Sequence, residues 1–351
     1  MSTEVVDGWA QMRHRGSTVF AESGTPASLT TGTKSPNVSA SWRDNIARTE
    51  GRSLMKVTGV EDWRAWAWVS WLVAAMLSLS FLDLTVYGLV VPSSAFVLAV
   101  LTGPAAWRRG SIDTLDLAVV AGLYIVVVTL FRVAFTVFTV ANVLGLFLCF
   151  GAGLVLGVAG PVFYTVMRAR PLADLGLGRG NWMRAVLLGL ILASIQFSIT
   201  LFGYALPAPI DWVPLLVMSL TVGAFETVFF RGFIQTRLSA GLGRAPGIAI
   251  AAALYAAYHV GYGMGGEEML FLFGLGVVYA VAFALVRNVL VLWPLLTPLG
   301  SFFNNLNSGD IDLPWAAILG FAEVLGLMIA AVWVGHWWLK RRSRPRAQRA
   351  G

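Results

Sequence analysis

The sequence predicts an all-α protein, a polytopic membrane bundle of about ten transmembrane helices with both termini cytoplasmic. Three observations carry this prediction. Only 12% of the 351 residues are charged, half of the roughly 25% found in ordinary soluble domains. Apolar residues make up 57%, and the mean hydropathy is +0.74. Those residues are gathered into blocks close to the ~20 residues that cross a bilayer. A soluble two-domain enzyme, a nucleic-acid reader and a disordered chain are excluded on these grounds, despite a net charge of +7 and a pI near 9.9. The single cysteine, Cys149, lies inside an apolar block, which excludes an internal disulfide and a cysteine-based zinc cluster.

Residues 1–65 differ from the rest. They are rich in Ser, Thr and Gly, hold no apolar block before Trp66 and lack the apolar core of a secretory signal. A disordered cytoplasmic tail is expected there, with a short interfacial helix near Trp63. Membrane helices follow over 66–167, then a core over 168–306, then a last helix and a basic cytoplasmic tail over 307–351. Ten spans are expected, at roughly 66–88, 91–107, 115–138, 141–167, 183–204, 212–238, 246–263, 267–286, 289–306 and 314–339. In the fourth, Gly153 and Gly157 form a small-xxx-small pair suited to close packing within the chain.

Positive-inside counting orients these spans. With the amino terminus inside, the inner connections carry Arg108 and Arg109, then Arg168, Arg170, Arg179 and Arg184, then Arg237 and Arg244, then Arg287. The outer connections carry acids instead, namely Asp211, Glu267, Glu268, Asp310 and Asp312. The final twelve residues hold six bases and no acid, the mark of a cytoplasmic anchor. The positive balance therefore points to anionic lipid at the cytoplasmic face and not to nucleic acid.

Away from the span ends, five residues with ionisable acid or guanidinium groups fall within the expected spans: Asp83, Arg132, Glu226, Arg231 and Glu323. Each is costly in a bilayer and a functional candidate by default. Asp83 and Arg132 lie at similar depth in the first and third spans, so a structural ion pair is expected between them. Glu323 stands alone on the last span, where a structural hydrogen bond is the default.

Glu226, His259 and Asn304 converge. The sixth and seventh spans form a hairpin whose turn centres near residue 242. Glu226 lies 16 residues before it and His259 lies 17 after it, both roughly 24 Å along their helices. Asn304 is 16 residues beyond Asn288, where the ninth span starts. Helical spacing sets Tyr255 and Tyr262 on the side of His259, and Ser219 and Gly223 on the side of Glu226. Thr297, Ser301, Asn304 and Asn305 form a polar stripe on the ninth span. A polar pocket in apolar walls suits a binding or catalytic site.

A carboxylate and an imidazole in one pocket can bind a water and take its proton, while asparagine amides can donate to a developing oxyanion. Amide hydrolysis within the bilayer is the matching reaction class. No HExxH or Gly-x-Ser-x-Gly motif is present, and the three histidines are His14, His259 and His336, so neither a two-histidine zinc site nor serine chemistry is expected. No cofactor is predicted. The residues alone leave open a scaffold reading, in which Glu226 and Arg231 pair and His259 bonds to a tyrosine.

At these positions the sequence resembles a known family. The stretch Gly223-Ala-Phe-Glu226-Thr-Val-Phe-Phe-Arg231-Gly232 resembles the first motif, Glu-Glu-x-x-x-Arg-Gly, of the CAAX prenyl endopeptidase and bacteriocin-processing (CPBP, or Abi) membrane proteases. Tyr255-Ala-Ala-Tyr-His259 is similar to the second motif, an aromatic residue four before a histidine. The segment from Leu172 resembles the connection ahead of the family's core. The resemblance runs from about 172 to 306. It implies that Glu226 and His259 activate the water and that Arg231 helps hold the glutamate helix. It also implies that an asparagine of a third motif, His-x-x-x-Asn, helps form an oxyanion hole, a role for Asn304 or Asn305. The chain departs from the pattern twice. Thr227 replaces the second glutamate, and four residues before the asparagines stand Gly300 and Ser301 in place of histidine. Ser301 is the available substitute donor.

The expected function is thus an intramembrane endopeptidase of the plasma membrane, acting on a membrane-associated peptide or protein. The alternative is a catalytically impaired relative that binds a partner or confers immunity without chemistry. A transporter ranks last, because paired broken helices and related halves are missing from the pattern.

Overall fold

The computed structural model describes residues 63–103, 107–138, 143–178, 180–202, 209–297 and 315–347. Among them every regular element is helical. In chain order these are α1 (Trp63–Ser78), α2 (Leu84–Leu101), α3 (Thr114–Val137), α4 (Val143–Met167), a 3-10 turn (Leu172–Leu175), α5 (Trp182–Thr200) and α6 (Pro209–Glu226). A π-helical segment (Thr227–Gln235) joins α6 to α7 (Thr236–Leu242). Then follow α8 (Arg244–Tyr258), a 3-10 turn (His259–Tyr262), α9 (Gly266–Val286), α10 (Val289–Leu296) and α11 (Ala316–Ala347). Of the tail expected over 1–65, only Trp63–Ala65 fall among the described residues, and they open α1.

Seven stretches are long and apolar enough to cross a membrane: 84–101, 114–137, 144–167, 182–200, 212–242, 266–286 and 316–342. This is a multi-pass membrane protein. The other three expected spans coincide with shorter helices, α1 of 16 residues, α8 of 15 and α10 of 8. α10 stops just before the described stretch 209–297 ends.

The first two spans break earlier than hydropathy suggests. The expected 66–88 and 91–107 are observed as Trp63–Ser78 and Leu84–Leu101. Ser78 turns its hydroxyl back to the Ala75 carbonyl at 2.9 Å. Asp83 then caps α2, accepting from the Thr85 amide at 2.9 Å. A carboxylate at a helix N-terminus satisfies an orphan amide and complements the helix dipole. Asp83 is therefore an exposed cap and forms no ion pair with Arg132, which instead donates to the Val260 carbonyl at 3.4 Å. Apolar residues run straight through the turn, so nothing in the hydropathy marks it.

The stretch carrying Glu226 forms the axis of the bundle. Across 212–242, 72% of the best apolar window is buried, against 17% in α5 and 22% in both α3 and α11. Glycines let the neighbours close in. Gly153 and Gly157 of α4 lie under the rings of Phe131 and Phe225, so the small-xxx-small pair packs within the chain. Gly88 of α2 meets the α9 backbone, where an added Cβ would stand 2.6 Å from the Leu270 carbonyl carbon.

One end of the bundle is tied by an ionic cluster. Arg170 donates to both Asp116 oxygens, at 2.9 and 2.7 Å, and the Tyr164 hydroxyl donates to the same carboxylate at 2.5 Å. Arg168 reaches Asp113 at 2.6 Å, and the Arg237 Nε of α7 stands 4.0 Å from Asp116. The cluster joins α3, α4 and the foot of the glutamate helix.

Candidate active site

Glu226 is the last α-helical residue before the π-segment. Residues five apart on an α-helix lie about 140° apart around the axis. The i→i+5 pattern of a π-helix brings such residues towards one side, and single π-turns recur at functional sites. Here the wide turn swings Glu226 and Arg231 towards a shared neighbour, Tyr255. The Tyr255 hydroxyl lies 3.4 Å from Glu226 Oε2, and the Arg231 guanidinium sits over the Tyr255 ring at 4.8 Å. Glu226 and Arg231 form no ion pair with one another; among the described residues the acids in ion pairs are Asp113 and Asp116.

The hairpin between α7 and α8 turns at Gly243, whose φ of 99° favours glycine. α8 then returns along the π-segment and ends at Tyr258, one residue before His259. The Tyr258 hydroxyl donates to Glu226 Oε1, and its ring centroid lies 4.0 Å from that of His259. His259 Nδ1 is 2.9 Å from the Tyr255 carbonyl oxygen. Such a contact favours the tautomer with the proton on Nδ1 and the lone pair on Nε2. Tyr255 and Tyr258 are almost wholly buried, while Glu226 and His259 keep 8% and 7% exposure. The acid and the imidazole thus lie buried against one aromatic cluster. Phe225, Phe230 and Phe131 complete it, with the Phe230 ring 4.9 Å from that of Tyr258.

Arg132 enters from α3. Its guanidinium reaches the Val260 carbonyl, next to His259, and Gly261 packs against the Phe131–Arg132 backbone. Arg132 therefore steadies the turn that carries the histidine. Similar depth in the first and third spans pairs it with Asp83 on sequence grounds, but Asp83 is the cap of α2.

Thr227, in the place of a second acid, donates its hydroxyl to the Gly223 carbonyl at 2.5 Å and is fully buried. Arg231 is 1% exposed, and its two terminal nitrogens have no hydrogen-bond partner among the described residues; aromatic faces of Tyr255 and Tyr279 receive the cation. The polar stripe of the ninth span begins at Thr297, which is buried beside Gly223, one turn before Glu226. α10 is fixed there by the Trp293 indole, which donates to the Leu220 carbonyl at 2.7 Å. Ser301, Asn304 and Asn305 lie outside the described residues. Glu323 is exposed on α11. No group of three or more metal-ligating side chains occurs among the described residues.

Two features escaped sequence reasoning. Helical spacing singles out Tyr255 and Tyr262 and gives Tyr258 no role; the change to a 3-10 turn at His259 accompanies its approach to both Glu226 and the histidine. The Asp116 cluster was missed because Asp116 stands at a span end, where a charge looks solvated.

Residues 207–295 match the family model described as type II CAAX prenyl endopeptidase Rce1-like. The matched segment holds Glu226, Arg231, Tyr255, Tyr258 and His259 and stops before the asparagines. Neither the curated proteins nor the solved structures gave a match.

Proposed function

We propose, from the premise that residues 207–295 are similar to type II CAAX prenyl endopeptidases, that this protein is an intramembrane endopeptidase. Its substrate is a membrane-associated peptide or protein, cut by a water that Glu226 and His259 activate. The observation that carries this reading is the bridge through Tyr258, which brings a buried carboxylate and an imidazole to one edge of the matched segment.

In this reading a water sits between the Glu226 carboxylate and His259 Nε2. Glu226 takes its proton as the oxygen attacks the scissile carbonyl carbon. The tetrahedral oxyanion is met by amide or hydroxyl donors from Asn304, Asn305 or Ser301. As it collapses the C–N bond breaks, and the proton held by Glu226 passes to the departing nitrogen. Tyr255, Tyr258 and Arg231 hold the two reacting side chains, and Arg132 holds the histidine turn. No cofactor has a part in this scheme. Ten spans, both termini in the cytoplasm and residence in the plasma membrane complete the proposal, following the distribution of Arg among the connections.

The test is complementation of a strain lacking the gene with wild type, Glu226→Ala and His259→Ala. Loss of the phenotype's rescue in both variants, at equal membrane abundance, supports the protease. Full rescue by both assigns the same pocket a binding role without chemistry.

A further inference from the structure

A second hollow lies away from the candidate active site, between α1, α2, α8 and α9. Its volume is about 670 Å³, within the roughly 300–1,000 Å³ of ligand sites. None of Glu226, Tyr255, Tyr258 and His259 lines it. Its walls are apolar, with Trp68, Phe96, Trp107 and Phe273 around small residues such as Ala95 and Ala99.

The hollow has one charged end. Arg64 opens α1, and Arg244 opens α8, and both line it. Both are exposed, and neither forms an ion pair among the described residues. α8 begins after Gly243 without a side-chain cap, so its first turn also favours an anion. Nearby Arg287 is held below the ordinary guanidinium range, first by burial and then by the cation of Arg244. Positive charge from Arg64 and Arg244 therefore lines this end, and an acid, Asp174, acts on the neighbouring Arg287. From there the walls run along α2 from Thr102 to Pro92, a rise of about 15 Å. That is half of a hydrocarbon core of about 30 Å, the depth of one leaflet.

We propose that this hollow holds an acyl chain of an anionic phospholipid, with the phosphate between Arg64 and Arg244. Guanidinium groups bind phosphate oxygens in pairs, and basic pockets between membrane helices on the cytoplasmic side receive such headgroups. Positive-inside orientation puts this end in the cytoplasmic leaflet. The site is independent of the protease reading.

Native mass spectrometry of the purified full-length protein tests it, after exchange into phosphatidylglycerol or phosphatidylcholine at equal mole fraction. Wild type retains one phosphatidylglycerol at least about tenfold better than phosphatidylcholine. The double variant Arg64→Gln/Arg244→Gln loses that preference, and Ala99→Phe, which fills the hollow, loses the retained lipid. Both arginines are exposed, so their variant tests the proposal even where Ala99→Phe unfolds. Equal retention of both lipids overturns it, as does unchanged preference in the arginine variant. Displacement of phosphatidylglycerol by a farnesylated peptide lacking phosphate overturns it as well, by assigning the space to a prenyl chain. Glycerol 3-phosphate alone fails to displace the lipid; if it succeeds, the site is for a soluble phosphate and not for a lipid.

Discussion

Tyr258 and Glu226 are joined by a hydrogen bond that links the end of α8 to the end of α6, at the point where α6 widens into a π-helix. The tyrosine also lies against His259, so one side chain sets the spacing of the acid and the imidazole.

Tyr258→Phe keeps the ring and removes the bond. A hydrogen bond to a charged group contributes about 1.5–3 kcal/mol, so cleavage falls by about 10- to 100-fold while the helical content stays unchanged. Rates for the purified variant, read beside its circular dichroism, check this. An unchanged rate removes Tyr258 from the site.

Arg231 separates fold from function. Its terminal nitrogens lack hydrogen-bond partners among the described residues, and a buried charge without such partners carries a desolvation cost that an apolar side chain of similar length avoids. Arg231→Met therefore melts at or above the wild-type temperature, yet cleaves more slowly because Tyr255 loses the cation that backs its ring. A large drop in melting temperature would make Arg231 a structural residue instead.

The Asp116 cluster predicts the opposite pattern. Asp116→Asn weakens two guanidinium bonds and one tyrosine bond, costing about 1.5–3 kcal/mol for charged hydrogen bonds. Thermal unfolding in detergent moves to lower temperature by several degrees, and cleavage per folded molecule is unchanged.

Asp174, in the 3-10 turn before α5, carries a pH signature. Burial raises its carboxyl above the ordinary 3.8, against the opposing pull of Arg237, Arg170 and Arg287. The folded state therefore holds the proton more tightly than the unfolded chain. Its contribution to stability is greatest below pH 3.8 and falls as pH rises through the raised value. Asp174→Asn removes that decline, which melting curves from acid to neutral pH display directly. A variant that keeps the wild-type slope excludes Asp174 as its source.

The sequence was informative where helices are regular and long. The arithmetic from residue 242 sets Glu226 and His259 at similar depth because the chain reverses at Gly243 between them, and Tyr258 contacts both. It misjudged local geometry where the helical period changes. The π-segment after Glu226 has no signature in Thr-Val-Phe-Phe, so the shared approach of Glu226 and Arg231 to Tyr255 could not be read. The 3-10 turn at His259 likewise hid Tyr258. Asp83 misled for another reason. An apolar turn and an apolar span have the same hydropathy, and the capping role emerges only once the helix break is seen.

The most direct measurement compares membrane peptides from a strain lacking the gene after complementation with wild type, Glu226→Ala or His259→Ala. Quantitative mass spectrometry of new peptide termini provides the readout. The account predicts a set of cleavage products present with wild type and missing with either variant at equal protein abundance. Products that persist unchanged in both variants would contradict it, and Glu226 and His259 would then not be the groups that cut.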